Sequence, residues 1–268
     1  MRNREMCLYA YILIACSQLC IHAVGLVTNP KRGDGFGAQF QSIVCTAMYA
    51  EVHGMKFVYT PFTAMEHNYD NDPDFLDKKE KLINFIDNFD VYRGEPGVKK
   101  TDGGSLPEAF ESNMVSYLNT DALKKIKRIF RENKNKQEYF DDRHFNIAVH
   151  MRRPNKHDIR LDGADTPDNV FVNIINKLRT LYSSKNALFH IYSQGRKEDF
   201  TLIKASDVIL HLNDSIEDTF SSLVFADVLV ASRSSFSYVA GILSEGIVYY
   251  IPFWHAPLPD WISVKTVI

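Results

Sequence analysis

Residues 23–59 read AVGLVTNPKRGDGFGAQFQSIVCTAMYAEVHGMKFVY, and the order of patterns in them decides the fold class. Ala23–Thr28 is a short apolar run that breaks at the polar, glycine-rich loop Asn29–Gly37. From Ala38 to His53 the apolar residues Phe40, Val44, Ala47, Met48 and Val52 return near one face of a helix. Gly54 supplies a C-terminal stop, and Met55–Tyr59 is a second apolar run ended by Pro61. Strand, glycine loop, helix and strand within forty residues make a βαβ unit, which requires a parallel sheet.

The pattern restarts after residue 142. Strands are expected at Phe145–Met151, Ala187–Tyr192, Val208–Leu212, Val228–Ala231 and Ile247–Ile251, with helices at Asn169–Leu181, Ile216–Phe225 and Ser235–Ser244. Between the two regions, Thr63–Asp142 reads as polar and mostly helical, with Tyr92–Ser105 a loop rich in Gly and Lys. The expected fold class is therefore α/β. Residues 23–142 form an N-terminal domain and residues 143–268 a C-terminal domain, with a central cleft between them where a ligand is expected.

Composition narrows the classes of function. Lys+Arg of 31 against Asp+Glu of 33 leaves no basic excess for a nucleic-acid backbone, so nucleic acid is not expected as a partner. Of four cysteines, Cys7, Cys16 and Cys20 lie in the first twenty residues and only Cys45 beyond, which excludes a disulfide framework for the body. Residues 1–22 place Arg2 and Arg4 before a long uncharged run. That run fits a secretory leader, a buried element or a membrane anchor. A leader implies the ER or Golgi lumen and its absence the cytoplasm, and membrane association stays open.

Four segments carry chemistry. In GDGFGAQ, Gly35 and Gly37 free the backbone for close approach at a helix start, Phe36 lies between them, and the Asp34 carboxylate is expected to face the cleft. HMRRPN follows an apolar strand and brings His150, Arg152 and Arg153 to its C-terminal end, where guanidinium groups suit a diphosphate. SRSSFS sets Arg233, Ser234, Ser235 and Phe236 between a strand and a helix start, a place that binds phosphate or simply caps a helix. IYSQG puts Ser193 and Gln194 at a further strand end. Asp70-Asn71-Asp72 has the spacing of a divalent-cation site, but no apolar strand leads into it, and an acidic surface loop is the simpler account. No metal ligand is expected, and His67 belongs either to that loop, solvated, or to the lining of the cleft. Asn213-Asp214-Ser215 is a glycosylation sequon, relevant only in the secretory pathway.

Taken in order, GDGFGAQ, HMRRPN, IYSQG and SRSSFS resemble the motifs of the GDP-fucose-dependent fucosyltransferases of the α1,2, α1,6 and protein O-fucosyl groups. Pro154-Asn155 stand where those relatives carry a small residue and Asp, and Ser193-Gln194 replace an acidic strand end. The resemblance implies a GT-B-like fold of two Rossmann-like domains facing a central cleft, residues 23–142 on the acceptor side and residues 143–268 binding the nucleotide sugar. It also implies inverting transfer of fucose from GDP-fucose to a hydroxyl of a glycan or glycoprotein, with no cofactor or metal. Arg152 would hold the diphosphate and Arg153 would orient it. Gly35, Phe36, Gly37, His150, Ser193, Gln194, Ser234, Ser235 and Phe236 would complete the donor site. Asp34, or another carboxylate such as Asp162, would be the base. Two alternatives share the scaffold: a transferase for another nucleotide sugar, and a catalytically silent binder of nucleotide sugars or glycans.

Overall fold

The structure is a computed structural model that describes residues 24–102, 105–153 and 166–264. The N-terminal segment 1–22 with its three readings, Asp162 and Pro154-Asn155 lie outside the described residues. Among the described residues no helix is long and apolar enough to cross a membrane.

The fold is α/β, with two parallel sheets. The first holds β1 (Leu26–Thr28) at its centre, flanked by β2 (Lys56–Val58) and β3 (Lys99–Lys100). β3 corrects the expected loop over Tyr92–Ser105. Its two exposed lysines carry no apolar alternation, but they pair beside Val27 and Thr28 as a short charged edge of the kind that blunts an open sheet. Around this sheet lie α1 (Phe36–Val52), α2 (Phe75–Ile83), α3 (Ser105–Ser112), α4 (Met114–Leu118) and α5 (Asp121–Arg131).

The second sheet is built from β4 (Phe145–Met151), β5 (Ala187–Ser193), β6 (Val208–Leu212), β7 (Val228–Ala231), β8 (Ile247–Tyr250) and β9 (Ile262–Ser263). Its helices are α6 (Asp168–Leu181), α7 (Ile216–Phe225) and α8 (Ser235–Leu243). The strand order is β6-β5-β4-β7-β8-β9, all parallel. The chain winds outward one way through β4, β5 and β6, then returns to start again at β7. That is the order of a dinucleotide-binding sheet, and it creates a crevice between the C-terminal ends of β4 and β7 where neighbouring loops part company. The apolar runs FNIAV and VLVA occupy these two central strands because both of their faces are covered by helices.

α1 differs from its expected one-sided pattern. It is buried almost all round from Phe36 to Ala50, with Gln39, Gln41, Ser42 and Thr46 buried beside the apolar residues. The cause is its position. Helices of the first half pack on one side and α8 of the second half on the other, and a single apolar core runs through both. Two of these buried side chains are satisfied close by: Thr46 Oγ1 donates to Ser42 O at 2.8 Å, and Gln39 Nε2 donates to Asp34 O and Ala64 O at 2.6 and 2.9 Å. A second tie between the halves is Lys79. It is 2% exposed, lies over the Phe75 ring at 3.8 Å, and pairs with Glu217 of α7 at 2.7 Å.

At Gly37 the first turn of α1 meets the first turn of α8 backbone to backbone. A Cβ on Gly37 would stand 2.5 Å from both Cα and N of Phe236. No rotamer relieves a clash with main chain, so the two helix starts would have to part. Gly37→Ala is therefore expected to destabilise the protein by about 1–3 kcal/mol, read as a lower urea midpoint at unchanged slope. Wild-type stability in this variant would mean that the helix starts are not held in contact.

Candidate functional site

The cleft lies where the crevice of the second sheet faces the glycine loop of the first half. It encloses about 1150 Å³ of empty space, including the part open to solvent. One wall is the start of α1, Gly35 to Ala38. The opposite wall joins the ends of β4, β5 and β7: His150 to Arg153, Tyr192 to Gln194, and Arg233 to Phe236. Every residue expected in the donor site lies on this lining, and so do both arginines of HMRR.

His150 holds the two sides of the crevice together. Its Nδ1 lies 2.9 Å from Ser232 Oγ, which joins the end of β4 to the turn after β7. Burial, with the Arg152 charge nearby, pushes its pKa down to about 3, so the ring is a neutral hydrogen-bonding strut. The arginines divide. Arg153 forms a fork with Asp168 at the start of α6 (2.9 and 3.0 Å) and lies over the Phe200 ring at 4.7 Å. A guanidinium held in this way fixes the strand end from which Arg152 projects. Arg152 and Arg233 bring two more guanidinium groups to the same lining.

Two helix starts add donors. Ser234 caps α8, its Oγ accepting from Phe236 N at 3.3 Å, and the first turn carries no acidic side chain. α1 begins after Gly35 with no side-chain cap and no acidic first turn. Both present the positive end of a helix dipole with main-chain N–H groups. Arginines and helix starts together suit an anionic ligand, and a diphosphate in particular.

Asp34 departs from its expected position. Its carboxylate accepts from Arg32 Nε at 2.5 Å, and it is not on the cleft lining. The loop itself explains this. Asp34 O is drawn to Gln39 Nε2, Glu66 N donates to Gly33 O at 3.1 Å, and Arg32 lies two residues away on the same turn. Phe36 is 2% exposed and packs against the rings of Phe40, Phe62, Phe220 and Phe236, tilted or edge-on, so most of its ring is core and only part faces the cleft. Ser193 Oγ donates to Met151 O at 2.6 Å, tying β5 to β4.

The acidic loop 70–72 is away from the cleft. Asp72 pairs with Lys78 at 2.6 Å and accepts from Asp74 N at 3.0 Å, and the Lys78 hydrogen bond lowers its pKa. His67, from the same region, does reach the cleft. Its ring covers Gly35, where a Cβ would come within 2.7 Å, and its Nδ1 is 2.5 Å from Tyr69 Oη.

Several lining residues were missed in sequence. Asp214 belongs to the β6 end, Ile216 and Thr219 to α7, and Trp254 to the loop after β8, whereas Tyr192 lies on the lining with the rest of IYSQG. Trp254 is 60% exposed at the cleft, on a loop pinned by Tyr238 Oη donating to Ala256 O at 2.8 Å and by Glu111 accepting from Ala256 N at 3.1 Å. A polar residue just after the apolar run of β6 was the available sign for Asp214. For Trp254 there was none. The sequon is consumed structurally: Asn213 accepts from Gly195 N at 3.1 Å and donates to Gly195 O at 2.9 Å, clamping the β5 and β6 turns together.

Comparison with protein-family models returns no match, and comparison with curated proteins returns none either. Among solved structures, the chain is similar to fucosyltransferase NodZ from Bradyrhizobium, at 12% identity over 82% of this chain and 93% of that one, with a TM-score of 0.43. It is similar to POFUT1 in complex with GDP at 12% identity, 85% and 98% coverage and a TM-score of 0.45. It is also similar to E. coli heptosyltransferase WaaC at 10% identity, 89% and 92% coverage and a TM-score of 0.42. At these values the likeness assigns no role to any residue.

His190, buried beneath the cleft, has its pKa pushed down from 6.5 to about 4 by burial, with His211 and His144 adding to the effect. The unfolded chain binds a proton at this histidine below pH 6.5, while the folded one resists until about pH 4. Its contribution is therefore present above pH 6.5 and lost as pH falls, by on the order of 3 kcal/mol across that window. Urea titrations at falling pH are expected to show this loss and to show it reduced in His190→Gln. An equal acid sensitivity in both proteins would place the effect elsewhere.

Proposed function

We propose that the protein is an inverting glycosyltransferase that moves fucose from GDP-fucose to a hydroxyl of a glycan or glycoprotein, without a divalent metal. One observation carries the reading. The arginine motif and the serine motif flank the same reversal of strand order, opposite a glycine-rich helix start. The resemblance of these motifs to those of GDP-fucose-dependent enzymes supports the choice of donor.

The chemistry follows from charge. As the bond between the sugar's anomeric carbon and the β-phosphate oxygen breaks, negative charge grows on the diphosphate and positive character on the sugar. Arg152 and the N–H groups at the start of α8 receive the diphosphate charge, and fixed donors of this kind stabilise a transition state more than a ground state. Arg153, held by Asp168, keeps that strand end in place. The acceptor oxygen attacks the opposite face of the anomeric carbon, so one displacement inverts the configuration, and the hydroxyl proton passes to a base. Asp34 takes that role by exchanging its Arg32 partner for the acceptor. The pairing of Asp34 with Arg32 also favours a second reading, a silent binder that keeps the clamp and lacks the base.

Incubation with GDP-fucose in the presence of EDTA separates the two. An enzyme releases GDP, and a binder gains thermal stability without releasing any. Arg152→Lys is expected to lower turnover about 30- to 1000-fold, because an ammonium cannot reproduce the guanidinium fork. Near-normal turnover in a folded Arg152→Lys protein would remove the clamp assignment.

Asp34→Asn is expected to leave donor affinity unchanged, since the carboxylate is off the lining, while transfer falls about 10²–10³-fold. Loss of donor affinity would instead identify Asp34 as a brace of the glycine loop.

A further inference from the structure

The ends of β5 and β6 carry a polar relay that the transfer chemistry leaves unused. It starts at Asn146, fully buried in β4. The Asn146 amide nitrogen donates to Asp141 O and His144 O, each at 3.0 Å, so its oxygen is left to accept. His190 Nε2 lies 3.1 Å from that oxygen and must be the donor. An imidazole protonated at Nε2 alone offers Nδ1 as an acceptor. His190 Nδ1 is 3.0 Å from His211 Nε2, so His211 carries its proton there. His211 Nδ1 then faces Asp214 Oδ2 at 3.3 Å, and it can donate to that carboxylate only when His211 is an imidazolium.

Asp214 is the one acidic side chain on the cleft lining among the described residues. It follows β6, two strands from β4, so at about 4.8 Å per strand it stands roughly 10 Å across the sheet from the arginine motif. A diphosphate at the crevice between β4 and β7 can extend its nucleoside along the strand ends toward Tyr192, Gln194 and Asp214, all on the same lining.

We propose that Asp214 binds the donor's base through adjacent N–H groups, and that His211 is its positioning residue, leaving the carboxylate to the ligand when neutral and withdrawing it when charged. This rests on the reading of the cleft as a nucleotide-sugar site. Guanine presents a ring N–H and an exocyclic amine side by side, a fork that the two oxygens of a carboxylate match. Uracil offers one N–H between two carbonyls, and adenine offers an amine beside an acceptor nitrogen. Asp214 therefore favours guanine.

The groups around His211 set the direction of its response. His190 and Tyr192 face it from β5, with the Tyr192 ring stacked at 4.5 Å, and Asp214 faces it from the loop after β6. Asp218 of α7 acts on Tyr192, and His144 acts on His190. Burial lowers the His211 pKa and Asp214 opposes the shift, so the ring is neutral at neutral pH and charges as the medium becomes acidic.

Calorimetric titration of the full chain with GDP and with UDP tests both parts. Wild type is expected to prefer GDP. Asp214→Asn should weaken GDP binding on the order of 10- to 100-fold, with UDP binding little changed. Asp214→Glu, which keeps the charge, should retain most of the GDP affinity, and it serves as the test if the amide variant does not fold. Between about pH 7 and about pH 5, GDP affinity should fall more steeply in wild type than in His211→Gln, in which phosphate titration still acts but the relay does not. GDP binding by Asp214→Asn at wild-type strength would overturn the base contact. An identical pH slope in His211→Gln would overturn the positioning role. If wild type binds neither nucleotide, the nucleotide-sugar reading fails and this inference fails with it.

Discussion

The contact between Gly37 and the backbone of Phe236 is the constraint on which the cleft depends. It sets the first turn of α1 against the first turn of α8, so the glycine loop of one half and the serine turn of the other stand on opposite sides of one space. The Phe36 and Phe236 rings fill the join beneath them, with Phe220 edge-on to both. Because α1 is buried almost all round, it cannot turn to move its N-terminus away from α8. The position of the cleft's two walls is thus a packing property of the core and not of the loops that line it.

Electrostatics then divides labour among neighbouring residues of one motif. His150 stays neutral and braces the crevice, Arg153 is tied to Asp168, and Arg152 reaches the lining. A charge drawn out of water requires a partner, and Arg153 finds one in Asp168. The same rule governs Lys79, whose ammonium is buried between the Phe75 ring and Glu217 at the join of the halves.

Much of this was legible in the chain. The runs FNIAV and VLVA are continuous rather than alternating because parallel central strands are covered on both faces, and the first polar residues after them mark the strand ends. That pattern alone sets His150, Arg152, Ser234 and Ser235 at the C-terminal ends of strands in one sheet. β3 was not legible, because two lysines on an edge strand owe their pairing to Val27 and Thr28 and not to any pattern of their own. Trp254 was not legible either, since a loop pinned by Tyr238 and Glu111 has no periodicity to read.

By itself the sequence determined the α/β class, the parallel sheets and the strand-end location of four motifs. Periodicity and glycine placement are local consequences of backbone geometry, and they survive without knowledge of neighbours. Only the tertiary structure decided which side chains those motifs spend on each other. Asp34 turned to Arg32, Asn213 closed on Gly195, and Asp214 arrived on the lining at the end of a relay that begins in β4. The reason is that a polar side chain takes its role from whichever donor or acceptor the fold brings within about 3 Å, and residues as far apart in sequence as Asn146, His190 and His211 meet only when the strands are laid side by side.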